Sequence, residues 1–304
     1  MKGVKCGWRD LLTSYNGHTI IYDLQGNPLT YRTNLLEWEK GRQLKKLTKP
    51  DGTVLEFAYN ANGIRTSKTV GTSKHTYVLD GTKILSETYG AHTVYAHYDN
   101  EGSICGITYN NTPYYFLKNL QGDVIAITDS NGEVVARYRY DAWGKVLSVT
   151  DQDGAPITSP NNIANINPFR YRGYYYDRET GLYYLQSRYY DPETGRFVNA
   201  DEASLLFVSD IILSENYYAY CDNNPINNID KSGERCVPKY IAYGFQLEIS
   251  IPFGEYGVEV VFSKGKAYLF FYGGVGYGNT LSKMLDELKF NFAGMFTKKT
   301  SPKI

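Results

Sequence analysis

Between residues 15 and 147 one short word recurs: an aromatic residue, then Asp or Asn, two variable positions, and Gly. It reads Tyr22-Asp23 with Gly26, Tyr59-Asn60 with Gly63, Tyr98-Asp99 with Gly102, and Tyr140-Asp141 with Gly144. Weaker copies fall between them at Trp38 with Gly41, Leu79-Asp80-Gly81, Asn119 with Gly122, and Asp129 with Gly132. An Asp or Asn side chain bonds its own following backbone, and Gly accepts the left-handed conformation, so each word is a turn. Most neighbouring glycines of the series lie 15–22 residues apart, which is two strands and two turns per unit. Units of that size bury their apolar faces by stacking on one another. The Tyr-Asp pairs are therefore read as hairpin-forming positions without chemistry of their own.

The spacers support strands. Tyr31, Thr33 and Leu35 are expected on one face, 124–128 (VIAIT) reads as a short buried run, and 134–140 alternates small, charged and aromatic residues. Composition enters here: 30 of 304 residues are Tyr and 29 are Gly. Tyrosine has an apolar body and a polar tip, which suits sheets with partly dry faces. The expected class is all-β. Lys plus Arg (32) equals Asp plus Glu (32), a balance that gives no support to a nucleic-acid or membrane-surface partner. Cys6, Cys105, Cys221 and Cys236 are scattered without C-x-x-C spacing, so free thiols are expected, although Cys221 and Cys236 could pair. No metal or cofactor is expected. Residues 148–167 lose aromatics and gain Asp, Asn, Pro and Ser, which reads as a linker.

Residues 168–201 then hold eight tyrosines and two nearly identical loop words, Asp177-Arg178-Glu179-Thr180-Gly181 and Asp191-Pro192-Glu193-Thr194-Gly195. With a shared middle strand over 182–190, they predict a three-stranded meander. Asp191 is read as structural, the first residue of its turn. These words, followed by Tyr217-Tyr218-Ala219-Tyr220, Asn223-Asn224-Pro225-Ile226-Asn227 and Asp230-Lys231-Ser232-Gly233-Glu234, resemble the RHS-repeat-associated core of RHS/YD-repeat proteins. Members of that family include polymorphic toxins and wall-associated proteins of bacteria. The resemblance covers roughly residues 8 to 235. It implies a spiralling antiparallel YD-repeat sheet, part of an RHS shell, that encapsulates and presents a C-terminal effector. It also implies pairing with the protein's own upstream repeats, an immunity protein for the C-terminal domain, and a secreted or cell-surface location, with an export signal upstream of this chain. The expected division is 1–150 repeats, 151–235 core and 236–304 variable passenger. A different reading, a surface adhesin binding carbohydrate through stacked tyrosines, remains open.

The resemblance further implies an aspartyl self-cleavage that frees the passenger. The matching positions are Arg188, Asp201 and Asp230, with cleavage after Glu234. Two close carboxylates cannot both ionise easily, so one keeps a proton as acid while the other activates water. An arginine beside them would hold one carboxylate charged. This chain departs from the pattern at Glu202 and Lys231, each standing where the family has Pro after the Asp, which removes the rigid turn that aims each carboxylate. The alternative is that Arg188 and Asp201 form an ion pair that closes the sheet.

The passenger carries neither His nor Arg, since His18, His75, His92 and His97 all lie in the repeats. It has no Ser-His-Asp triad or His-metal site of its own. Strands are expected over 245–251, 257–262 and 267–272. The run Gly273-Gly274-Val275-Gly276-Tyr277-Gly278 lacks the Lys-Ser/Thr of a phosphate loop and reads as a connection. Leu281, Met284, Leu285 and Leu288 have the spacing of one amphipathic helix. The segment 205–214 could be helix or strand.

Overall fold

A computed structural model describes residues 10–201 and 216–234 in full, and the strands Cys236–Pro238, Ala242–Ile251, Gly254–Ser263, Lys266–Gly274 and Met284–Leu288 as backbone. The chain divides into two compact units, Met1–Val237 and Pro238–Ile304.

In the first unit thirteen strands, from Thr30–Tyr31 to Val146–Thr150, pair antiparallel strictly in sequence order. This sheet is open, with those two strands at its edges. The recurring word explains the order. In each of Asp23, Asn60, Asp99, Asp129, Asp141 and Asp151, Oδ1 accepts the N–H groups two and four residues later at 2.8–3.0 Å. The glycine three positions on is left-handed each time, with φ between 75° and 89°. The aromatic that opens the word has its own task. The hydroxyls of Tyr59, Tyr98 and Tyr140 donate to the carbonyls of Leu44, Ile84 and Val124, 14–16 residues upstream, at 2.9–3.0 Å. Tyr22 does the same to Leu12. Each word opened by Tyr thus turns the chain and ties it to an earlier segment.

Strand alternation buries one face of the sheet, with Leu36, Leu47, Leu55, Tyr77, Val94, Ile107, Ile127 and Tyr138 among its core side chains. Against this face packs a layer built from residues 163–201 and 216–234. It contains the four-stranded meander Tyr175–Asp177, Leu182–Leu185, Arg188–Asp191 and Arg196–Phe197. Tyrosine hydroxyls join the layers: Tyr59 to Tyr189 (2.9 Å), Tyr77 to Tyr175 (3.2 Å), Tyr138 to the Ala164 carbonyl (2.6 Å) and Tyr218 to the Gly26 carbonyl (2.8 Å). This is the use that the abundant tyrosine serves, an apolar ring in the core with a satisfied polar tip.

Several expectations are corrected. The middle strand over 182–190 is two strands, because Gln186 is left-handed (φ 61°) and the chain reverses so that Leu185 pairs with Arg188. Tyr31 and Leu35 do not share a face. Arg32 turns the chain at φ 55°, Tyr31 and Leu36 go inward, and Leu35 is 60% exposed. The linker over 148–167 includes the end of strand Val146–Thr150 and a short helix Ile163–Ile166, capped by Asn162. Cys221, as expected, is a free, buried thiol.

In the second unit four strands pair antiparallel, Ala242–Ile251 with Gly254–Ser263, then Lys266–Gly274, then Met284–Leu288. The expected three strands are present and longer. The helix expected around Met284 is a strand instead, paired from Phe271↔Met284 to Ala267↔Leu288. Sheet hydrogen bonds to an aromatic-rich neighbour outweigh a weak local periodicity over so short a segment. Leu281, the segment 205–214 and residues 275–278 lie outside the described residues.

Candidate processing site

Arg188 opens its strand directly after the reversal at Gln186-Ser187, and its guanidinium is buried over the Phe197 ring, 3.6 Å from the centroid. Its donors fan out to elements far apart in sequence. Nη2 lies 3.0 Å from Asp201 Oδ2 and 3.6 Å from Asp230 Oδ2, Nη1 donates to the Tyr217 carbonyl at 3.1 Å, and Nε donates to the Gly233 carbonyl. The three residues singled out in the sequence, Arg188, Asp201 and Asp230, therefore meet around one guanidinium. Burial pulls the Arg188 pKa below its ordinary value, although Asp201 and Asp230 draw it the other way. Desolvation of the cation is thus only partly offset by the carboxylates it faces.

Asp230 ends the strand Asn228–Asp230 and is buried. Its Oδ1 accepts the N–H groups of Ser232 (3.3 Å), Gly233 (2.8 Å) and Glu234 (3.2 Å). Those three bonds wind the chain tightly around the carboxylate, which supplies by hydrogen bonding the turn that a proline at Lys231 would have set. Gly233 is obligatory there: φ is 74°, and a Cβ would stand 2.6 Å from the Leu185 carbonyl oxygen. Glu202, the other departure from the pattern, lies outside the described residues.

Two further residues belong to the site and were not legible in the sequence. Ser187 Oγ sits 2.8 Å from both the Ser232 and Gly233 carbonyl oxygens, so its one proton serves either. Arg42, from the turn after strand Asn34–Glu39, places Nη1 3.5 Å from Asp201 Oδ1. Ser187 carries no signal beyond its position before Arg188, and Arg42 reads as an ordinary surface turn residue. A cavity of about 550 Å³, lined in part by Lys40, Arg42, Ser187, Ser232 and Glu234, opens beside the Gly233-Glu234 segment. Asp191 stands apart from this cluster. Its carboxylate accepts the Tyr31 hydroxyl (2.6 Å), the Arg32 guanidinium and the Glu193 N–H (2.9 Å).

Among the described residues no group of His, Cys, Asp and Glu is arranged to hold a metal ion. The chemistry available is that of two carboxylates, a buried guanidinium and a hydroxyl around a tight turn.

An open antiparallel sheet punctuated by Tyr-Asp-type turn words, packed on a tyrosine-rich layer, defines a YD-repeat shell wall. The Teneurin YD-shell family model matches residues 9–226, and the chain belongs to that family. It is 36% identical to the tRNA nuclease WapA of Bacillus subtilis strain 168 over 229 residues, 73% of this chain and 9% of that protein. It is 34% identical to the double-stranded DNA deaminase toxin A of Burkholderia cenocepacia over 120 residues, 40% of this chain and 7% of that protein. Among solved structures it is similar to the TcdB2-TccC3-Cdc42 crystal structure, with TM-score 0.56, 22% identity, and coverage of 70% of this chain and 11% of that one. That last likeness is one of fold. The chain spans roughly a tenth of the length of the curated nucleases it matches.

Proposed function

We propose that residues 10–234 are wall and closing core of a YD-repeat shell that encloses and presents the segment beyond residue 235, in the manner of a polymorphic toxin. The observation that carries this reading is the packing of the layer of residues 163–201 and 216–234 along the buried face of the thirteen-stranded sheet. A wall of that kind has one dry side committed to a closing layer, and as an open sheet it can be extended by further repeats. Likeness to a tRNA nuclease and a DNA deaminase toxin supports a toxic C-terminal segment, guarded in the producing cell by an immunity protein and exported to meet its target. Growth of cells expressing 236–304 alone, compared with cells expressing the full chain, tests it. Harm from the segment that the full chain suppresses is expected. Harmless expression of both, with binding of residues 1–235 to cell-surface glycans, would favour the adhesin.

A second reading is favoured by the meeting of Arg188, Asp201 and Asp230 beside Glu234: the chain processes itself. In this reading Asp201 takes a proton from water as the water oxygen bonds to the Glu234 carbonyl carbon. Asp201 then returns that proton to the amide nitrogen as the C–N bond to Arg235 breaks, while Asp230 holds the Gly233-Glu234 turn in place through its backbone hydrogen bonds. A carboxylate on Glu234 and a free amine on Arg235 result. Intact mass of the expressed chain should show a break after Glu234, abolished by Asp201→Asn. An uncut wild-type chain would reject this reading and leave the shell untouched.

A further inference from the structure

We propose that Arg42, a residue of the repeat wall, is a positioning residue for the processing site, so that the site is complete only after the wall has wrapped the core. The inference rests on the self-processing reading. Arg42 and Asp201 are 159 positions apart in sequence, yet Arg42 Nη1 lies 3.5 Å from Oδ1 while Arg188 Nη2 lies 3.0 Å from Oδ2. The two carboxylate oxygens are thus addressed from two directions, one by the core's own arginine and one by the wall's. A carboxylate addressed at both oxygens cannot swing about its Cβ–Cγ bond, and it stays charged as the base must.

The wall presents Arg42 on a braced turn. Lys40 (φ 46°) and Gly41 (φ 88°) are both left-handed, and the Gly41 carbonyl accepts Asn27 Nδ2 at 2.6 Å. Asn27 is itself held by Asp23, of the first Tyr-Asp word, through its N–H and its side-chain amide, both at 2.9 Å. A repeat turn thereby fixes the turn that carries Arg42. The side chains of Arg42 and Asp201 are 23% and 21% exposed, so their attraction acts at the rim of the cavity that also holds Glu234. At such a rim a pair adds little to folding stability, because water screens it, so what the contact supplies is orientation of the carboxylate. Lys40 lines the same cavity but has no described bond to either carboxylate.

Among the described residues, the charged groups around Asp201 are Arg42, Arg188 and, across Arg188, Asp230, with Glu234 on the cavity wall. Removing Arg42 takes away a cation that faces Asp201, so the acid limb of the cleavage profile moves to higher pH. The test follows cleavage of the full chain over time after a pulse of cell-free synthesis, by intact mass, across a range of pH. Arg42→Gln should slow the break by roughly tenfold to a hundredfold, as misplacing a reacting group does. It should shift the acid limb upward and leave the melting temperature in place, while Arg42→Lys keeps most of the rate. If the wild type cuts and Arg42→Gln cuts equally fast with the same profile, Arg42 has no part in the site. Equal slowing in both variants with a lowered melting temperature would make it a structural residue and overturn the proposal too. If the wild type never cuts, the processing reading falls and Arg42 with it.

Discussion

Arg65 and Asp177 face each other across 112 positions of sequence, both fully buried, with Nη1 2.6 Å from Oδ2 and Nη2 3.2 Å from Oδ1. The guanidinium lies among the rings of Phe57, Tyr77, Tyr175, Tyr184 and Tyr189, with centroids 4.2–6.0 Å from Cζ. Lys68 Nζ adds a second cation 3.0 Å from Asp177. Burial pushes the Asp177 carboxyl up, but Arg65 and Lys68 outweigh it and hold the pKa below the ordinary value. Removing one partner strands the other charges in a dry core, so Arg65→Ala or Asp177→Ala should cost about 3–5 kcal/mol in urea denaturation. The apolar pair Arg65→Met with Asp177→Leu should cost less than either single change. Because the Asp177 pKa is depressed on folding, its stabilisation is present above the unfolded value of about 4 and is lost as pH falls through the folded one. Asp177→Asn should flatten stability against pH in that acid range.

Alkaline pH should unfold the wall, and the direction follows from the tyrosines. Burial pushes the hydroxyls of Tyr22 and Tyr98, two of the words' own aromatics, up to about 12. Tyr171 and Tyr189 in the core layer are likewise raised by burial to about 12. A group whose pKa is raised on folding stabilises below its unfolded value, about 10 for tyrosine, and that contribution is lost as pH rises through the folded value. Stability should therefore fall between about pH 10 and 12. Tyrosinate absorbance should rise in step with loss of the sheet's circular dichroism, and a rise that precedes unfolding would show the hydroxyls to be accessible.

Two glycines separate backbone strain from crowding. Gly132 (φ 85°) has nothing within 4 Å of an added Cβ, whereas at Gly144 (φ 89°) that atom would stand 2.5 Å from Tyr171 Cδ1. Gly132→Ala should cost about 1–2 kcal/mol, the left-handed penalty alone. Gly144→Ala adds displacement of a core ring and should cost roughly 1–3 kcal/mol more. Equal losses by calorimetry would mean that Tyr171 moves aside freely.

How far the sequence could be read follows from the range of each interaction. The Asp-x-x-Gly turns close within five residues, and their residue types name them. The hydroxyl of the preceding Tyr is satisfied 14–16 residues back, so its acceptor is invisible until strand register is known. Arg65 in Arg-Thr-Ser-Lys-Thr-Val looks like a solvent-facing strand position, since nothing local announces a carboxylate 112 residues away. Arg188, Asp201 and Asp230 were legible because spaced words carry them, while Arg42 and Ser187 sit in no word. The strand at Met284–Leu288 was missed for a related reason: four apolar positions fit a helix, and only the partner strand decides.

Asp191 and Asp201 should behave oppositely when each becomes Asn. Asp191 is buried, and burial raises its carboxyl pKa despite the neighbouring Arg32 cation and the Tyr31 and Glu193 hydrogen bonds. A raised carboxyl stabilises at low pH and costs stability as pH rises through its folded value, the reverse of Asp177. Asn can still accept the Glu193 N–H, but its NH2 group would face the Tyr31 or Arg32 donor, so Asp191→Asn should cost about 1–2 kcal/mol at neutral pH through that lost hydrogen bond. Its turn lies outside the Arg188 cluster, and processing after Glu234 should continue at the wild-type rate. Asp201 is partly exposed, so Asp201→Asn should barely move the melting point yet stop the cut. Melting curves and intact mass on the two variants settle the pair. A stable, uncut Asp191→Asn chain would move the catalytic carboxylate to the turn of the Asp191-Pro192-Glu193-Thr194-Gly195 loop.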